Sequence, residues 1–202
     1  MKNDILKVVE KTSAYTHLLE KKGDFVVDDI IGVSLLFSAL YQNKKGRYVI
    51  VATNLYNAQK IADSIASFVG EDNVYLFPND DLLRLELLTS SKELLAQRIF
   101  VLNELLKNEK KIVVTHLSSM ITPLPPIIEF KNAIIELKIG DVIDPKELKE
   151  KLIKNGYTSS NKIDQSLQVA SRGDIVDVFS VNYPNPIRIE FFGDEIDGCA
   201  RP

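Results

Sequence analysis

The sequence predicts an α/β fold: a parallel sheet with helices on both faces, followed by a small α+β domain built on an antiparallel sheet. Three observations lead there. From about residue 24 to 122, short apolar β-branched runs alternate with longer segments of helical period. At 123–126 stands PLPP, which restricts the backbone of each proline and of the residue before it and so makes a rigid, extended connector. Beyond it one helical stretch precedes three extended pieces separated by turn residues.

In order, an amphipathic helix is expected from about Asp4 to Glu20. The runs FVV at 25, RYVIVAT at 47, NVYLF at 73 and KIVVT at 111 read as buried parallel strands, because helices covering both sheet faces leave no polar face to show. Between them, NLYNAQKIADSIASFVG sets Ala58, Ile61, Ala62, Ile65 and Phe68 on one helical face, with Asn54 as N-cap. In SSKELLAQRIFVLNELLKN, Ser90 and Glu93 have capping-box spacing, and Leu94, Leu95, Arg98, Val101, Leu102 and Leu105 follow the helical period. Such βαβ alternation implies parallel strands. The domain boundary is placed at PLPP, giving 1–126 and 127–202.

In the second part, IIELKIG at 134–140 reads as a strand. Asp144, Pro145 and Glu147 then signal a helix start, and Gly156 its end. SLQVA, DIVDVFSV and PIRIEFFG follow as strands. Side chains alternate along a strand, so Ile187, Ile189 and Phe191 make a core face, while Arg188, Glu190 and Phe192 make a polar face with one large ring. Arginine beside an exposed aromatic is the composition of a protein-protein hot spot; the alternative is that Phe192 turns inward at a bulge near Gly193.

Composition narrows the function. The 202 residues are 45% apolar and 26% charged, with no membrane-length apolar run and no secretory start, so the setting expected is cytoplasmic and no membrane contact is expected. The lone Cys199 excludes a disulfide framework, and His17 and His116 stand too far apart in sequence to suggest a zinc cluster. Basic and acidic residues balance in 1–126, and 127–202 carries net charge −3, so direct DNA binding is not expected.

Several motifs have a sharp and a bland reading, and the bland one is favoured throughout. RGD at 172–174 is a turn rather than an adhesion signal. Asp80 and Asp81, near Glu86, lie in a solvated loop; Ser118 and Ser119 have no nucleophile-elbow context; Asp194, Glu195 and Asp197 are a solvated run. Asp28 and Asp29 suit a helix start. They introduce GVSLLFSALY, at the place where a strand-loop-helix NTPase carries its phosphate loop. That loop needs glycine backbone near the phosphates and a lysine to meet their charge, whereas this stretch has only Gly32, no lysine, and apolar side chains.

The stretches LFPNDDLLRLELLTSSKELLAQRIFVLNELL, VVTHLSSMITPLPP and SRGDIVDVFSVNYPNPIRIEFFGDEID, in that order, resemble the amino-terminal module of bacterial transcription-repair coupling factor (Mfd), itself similar to the excision-repair protein UvrB. The resemblance runs from about residue 24 to Asp197, and its specific part is RGDIVDVF…RIEFFGDEID. It implies a degenerate helicase-like domain without a Walker A loop, then a small domain that binds UvrA. Such a module is not an enzyme and holds no cofactor; the alternative is a nucleotide-binding fragment of UvrB or helicase type.

Carried over residue by residue, the resemblance assigns the UvrA contact to Arg172, Arg188 and Phe192. It further implies an intramolecular partner, a distant part of the full-length protein that masks this surface. The ending GCARP does not look like the family's continuation, and either a truncation or a tail foreign to the native frame is expected there. The polymerase-binding and translocase regions lie outside this sequence, so the chain is not expected to displace polymerase or move on DNA.

Overall fold

The computed structural model describes residues 2–20, 27, 29–79, 92–107 and 109–200. The chain divides into two compact units, Met1–Ser90 with Val101–Thr122, and Ser91–Phe100 with Pro123–Pro202.

In the first unit, β1 (Tyr48–Ala52), β2 (Val74–Phe77) and β3 (Ile112–His116) form a parallel sheet in the order β1-β3-β2. These are three of the expected runs. In the fourth, FVV, Phe25 and Val26 lie outside the described residues and Val27 is in no strand. Asp28, Asp80, Asp81, Glu86 and Ser90 also lie outside them.

α4 (Leu55–Val69) connects β1 to β2. Its cap is the expected one: the Asn54 side chain accepts the Asn57 N–H at 2.8 Å, removing one of the unsatisfied donors at the helix start. The stripe Ala58, Ile61, Ala62 and Ile65 packs on Ile50, Leu76, Ile112 and Val114, and α3 (Ile30–Asn43) adds Tyr41 to this core. On the opposite face, Val113 and Thr115 are buried, and the Tyr75 hydroxyl donates to Glu104 of α5 (Lys92–Leu106) at 3.1 Å. α4 thus covers one face, while on the other α5 meets the sheet at β2 and Val49 and Val51 of β1 are exposed. In α5 the stripe is narrower than its period suggests: Val101 and Ala96 are buried, Leu95 and Leu105 exposed.

The expected helix from Asp4 to Glu20 is two helices, α1 (Lys2–Val9) and α2 (Ser13–Glu20). Thr12 breaks it. Its hydroxyl donates to the Val9 carbonyl at 2.6 Å and accepts the Tyr15 N–H at 3.3 Å, offering the backbone a turn in place of the next helical bonds. The break lets Leu6 of α1 and Tyr15 of α2 both bury against Leu36, Ala39 and Leu40 of α3.

In the second unit, α6 (Leu117–Ile121) having ended the first, α7 (Ile127–Asn132) follows directly on the prolines; the sequence reading missed it. The expected strand at 134–140 is not one. Asp141 accepts the Lys138 N–H at 2.7 Å and Gly140 sits at φ +90°, a turn that sends the backbone against residues 194–196, where Val142 makes an isolated bridge to Glu195. Ile135 and Leu137 still pack on the core. α8 (Pro145–Lys154) has the foreseen ends. Asp144 Oδ1 accepts the Lys146 and Glu147 N–H groups, while Gly156 at φ +95° lets Tyr157 N–H reach Leu152 O and Gly156 N–H reach Ile153 O, each at 3.0 Å, in a Schellman closure.

A five-stranded sheet completes the unit in the order β4-β5-β6-β7-β8: β4 (Thr158–Ser159), β5 (Gln168–Arg172), β6 (Ile175–Phe179), β7 (Ile187–Phe192) and β8 (Glu195–Ala200). All pairs are antiparallel except β4 with β5. β4 is too short to show in the pattern. Of the ending GCARP, Gly198, Cys199 and Ala200 belong to β8 and pair with Glu190, Ile189 and Arg188. Leu148 and Leu152 of α8 cover one face of this sheet, over Val169, Val176, Val178, Ile189, Phe191 and Ile196. Among the described residues no helix is long and apolar enough to cross a membrane.

Tyr157 packs at the margin of that core, where burial raises its hydroxyl pKa above the ordinary value and a hydrogen bond with Ser180 works the other way. A raised pKa means that the folded state holds the proton more tightly. Its contribution to stability is therefore complete below the ordinary tyrosine pKa of about 10 and is lost as pH climbs through the folded value. Tyr157→Phe should flatten the alkaline limb of the unfolding free energy, measured by denaturant titration across a pH series, and an unchanged limb would contradict this.

Candidate protein-binding face

Two places carry the functional question. The first is the start of α3, where a phosphate loop would stand. Asp29 is its N-cap: Oδ1 accepts the Gly32 N–H at 2.7 Å. The positive helix end, which in a phosphate site faces an anion, here already faces a carboxylate. Gly32 is needed for close approach rather than for a ligand, since a Cβ on it would meet Val27 Cγ1 at 2.7 Å. Leu36, Ala39 and Leu40 further along the helix are core. The reading of Asp29 as a helix-start residue thus describes the structure.

The second is the face of the five-stranded sheet turned away from α8. Strand register decides who stands there. Arg172 pairs with Ile175 and Ile175 with Glu190, making one row; Ala170, Asp177 and Arg188 make the next. Cross-strand partners share a face, so Arg172, Arg188 and Phe192 all lie on the side opposite the core residues Val176, Ile189 and Phe191. The sequence-derived trio is therefore brought to one surface.

The turns explain how. β5–β6 and β7–β8 are both closed by Gly-Asp, with Gly173 at φ +58° and Gly193 at φ +68°, the left-handed backbone that a primed hairpin turn requires at its first central position. RGD is accordingly a hairpin corner. Because β5 and β7 run in the same direction, both corners stand at the same end of the sheet, and Arg172 and Phe192 are the last strand residues before them. A bulge does occur, between Glu190 and Phe191 in the pairing with β8, but it leaves Phe191 6% exposed and Phe192 82% exposed. A phenylalanine so exposed loses most of the burial free energy its ring could supply, about 2 kcal/mol, unless something covers it.

The two arginines are held differently. Arg188 lies against Asp177, its strand neighbour, with Nε donating to Oδ1 at 2.8 Å and Nη2 to Oδ2 at 3.0 Å. That paired carboxylate raises the guanidinium pKa above its ordinary value. Arg172 instead donates from Nη2 to the backbone carbonyl of Asn161 at 2.7 Å. Asp177 and Asn161 were missed in the sequence. Alternation in DIVDVF puts Asp177 on the polar face, so its pairing with Arg188 was accessible; Asn161 contributes a main-chain oxygen from a loop and leaves no sequence signal.

His116, at the end of β3, is buried and structural in its contacts: Nε2 accepts the Asn79 N–H at 3.2 Å and Nδ1 lies 2.9 Å from the Ser118 hydroxyl. Among the described residues no three His, Cys, Asp or Glu side chains are grouped to hold a metal.

The adjacent phenylalanines offer a test of the face assignment. Phe191→Ala removes a core ring and should cost about 3–5 kcal/mol of unfolding free energy, whereas Phe192→Ala should change it by no more than about 0.5 kcal/mol. Denaturant unfolding of both variants checks this, and equal losses would contradict it.

Residues 135–201 match the family described as the UvrB interaction domain, a span that takes in all of β8. The transcription-repair-coupling factor of Bacillus subtilis (strain 168) is 33% identical over 164 residues, which are 81% of this chain and 14% of that protein. Those of Staphylococcus aureus (strain USA300) and Staphylococcus haemolyticus (strain JCSC1435) are each 29% identical over 157 residues, 78% of this chain and 13% of theirs. The chain thus spans about a seventh of the length of these relatives. Over most of its own length it is similar to transcription-repair-coupling factors, with residues 135–201 carrying the pattern of the UvrB interaction domain family.

Proposed function

We infer that this chain is a non-catalytic, UvrB-like protein-binding module that docks UvrA on the open face of its five-stranded sheet and so links stalled transcription to nucleotide excision repair. The observation that carries the reading is Phe192, an 82% exposed ring at a hairpin corner, on the face that also bears Arg172 and Arg188 within the span matched to the UvrB interaction domain. An exposed aromatic flanked by arginines is the composition of an interface hot spot: the ring is the anchor that loses water on binding, and guanidinium groups supply directed donors around it.

Residues 1–126 serve in this reading as a degenerate helicase-like domain and 127–202 as the binding domain. Asp29 argues against nucleotide binding by the first, because a phosphate entering at the α3 start would displace or repel the carboxylate already bonded to Gly32. The setting inferred is cytoplasmic. In a full-length relative, a distant part of the protein would compete with UvrA for the same face.

Titration with UvrA tests the reading. The parent should bind, and an Arg172→Ala/Phe192→Ala variant with an unchanged circular dichroism spectrum should lose roughly 2 kcal/mol or more, about thirtyfold in affinity. No association by the folded parent would overturn the function. Saturating Mg-ATP should leave the melting temperature unchanged, whereas a real nucleotide site would raise it.

A further inference from the structure

The open sheet face carries two arginines in opposite electrostatic situations. Arg188 presents its Nε/Nη2 edge to Asp177 in a two-bond pairing, with 38% of its side chain and 24% of the aspartate's exposed. Among the described residues no hydrogen bond reaches its Nη1. A guanidinium has a second bidentate edge, formed by Nη1 and the other Nη2 hydrogen, and that edge is unused here. The pair is close to neutral as a unit.

Among the described residues Arg172 has no carboxylate partner, and it donates to a neutral backbone oxygen. Along its row Ile175 separates it from Glu190, which by strand spacing puts that acid about 10 Å away, near one screening length in physiological salt. Beside it opens a cleft of about 360 Å³ walled by Asn161, Lys162, Ile163, Arg172, Asp177 and Pro186. Lys162 brings a second cation to that cleft, while its one acid, Asp177, is already bonded to Arg188.

We propose that Asp177 is a positioning residue that divides the work of the two arginines: it turns Arg188 into an oriented, nearly neutral donor for a carbonyl oxygen of the partner, and it leaves Arg172, with Lys162, as the charge that takes a partner carboxylate in the cleft. The proposal rests on the docking face inferred above and adds what each arginine recognises. A second carboxylate on Arg188 would face Asp177 across one guanidinium and be repelled, so a neutral acceptor suits its free edge. A carboxylate suits Arg172, whose charge no carboxylate among the described residues meets.

Binding kinetics with UvrA at low and high salt separate the roles, since a charge at the rim of an interface governs association and its salt dependence, whereas a directed hydrogen-bonding group governs dissociation. Arg172→Gln should slow association several-fold and flatten its salt dependence. Arg188→Gln should leave association within about twofold but speed dissociation about tenfold. Asp177→Ala should also speed dissociation, and adding Arg188→Gln to it should change dissociation by less than about twofold, because the oriented donor is already lost. Additive losses in that double-mutant cycle would overturn the proposal, as would an Arg188→Gln variant whose salt dependence flattens like that of Arg172→Gln. In the free chain, the Arg188 Nε–H should be a slowly exchanging NMR signal that Asp177→Asn abolishes. A parent without that signal would overturn the positioning role, whereas a parent with it but without UvrA affinity would overturn only the docking function.

Discussion

Strand alternation in β7 is the constraint on which the functional surface depends. Ile189 and Phe191 point to the α8 side, where they join Val169, Val176, Val178 and Ile196 in the core that Leu148 and Leu152 cover. Once they do, the pleat leaves Arg188, Glu190 and Phe192 no choice but the opposite face. A register slip of one residue would bury two charges and expose the core, a cost far beyond the few kcal/mol of net stability available to a domain of this size. The core therefore fixes the binding face even though Arg172, Arg188 and Phe192 are no part of it.

The hairpin corners add the second coordinate. Alternation decides which side of the sheet a residue occupies but not where along it. Gly173-Asp174 and Gly193-Asp194 do that, by closing two hairpins at the same sheet end and leaving Arg172 and Phe192 as the terminal strand residues. At the other end of the molecule's logic stands α3, where Asp29 satisfies the helix start from within the chain. The same backbone feature that binds phosphate in a nucleotide enzyme is here closed by a local acid, and the helix behind it is spent on packing.

Much of this was legible in the residues. The core strands of both sheets, the Asn54 and Asp144 caps, the Gly156 terminus and the two faces of β7 each rest on a local rule: period, cap chemistry or left-handed backbone. What was missed depends on contacts that local rules do not contain. The break at Thr12 reflects two helices each seeking α3; 134–140 looks apolar enough for a strand but pairs at its end with residues more than fifty positions away; β8 reads as an acidic run until Ile196 is seen in the core. Arg172 and Phe192 could be singled out in the sequence, but their common end of the sheet required the register. Asn161 could not be found at all, because it acts through its backbone oxygen.

The central claim is that UvrA meets the face bearing Phe192 and not the face covered by α8. Photocrosslinking tests it most directly, with a benzophenone side chain placed at Phe192 in one variant and at the exposed Glu150 of α8 in another. The account predicts a covalent UvrA adduct from position 192 and none from position 150. An adduct from 150 alone would put the partner on the helical side and contradict it.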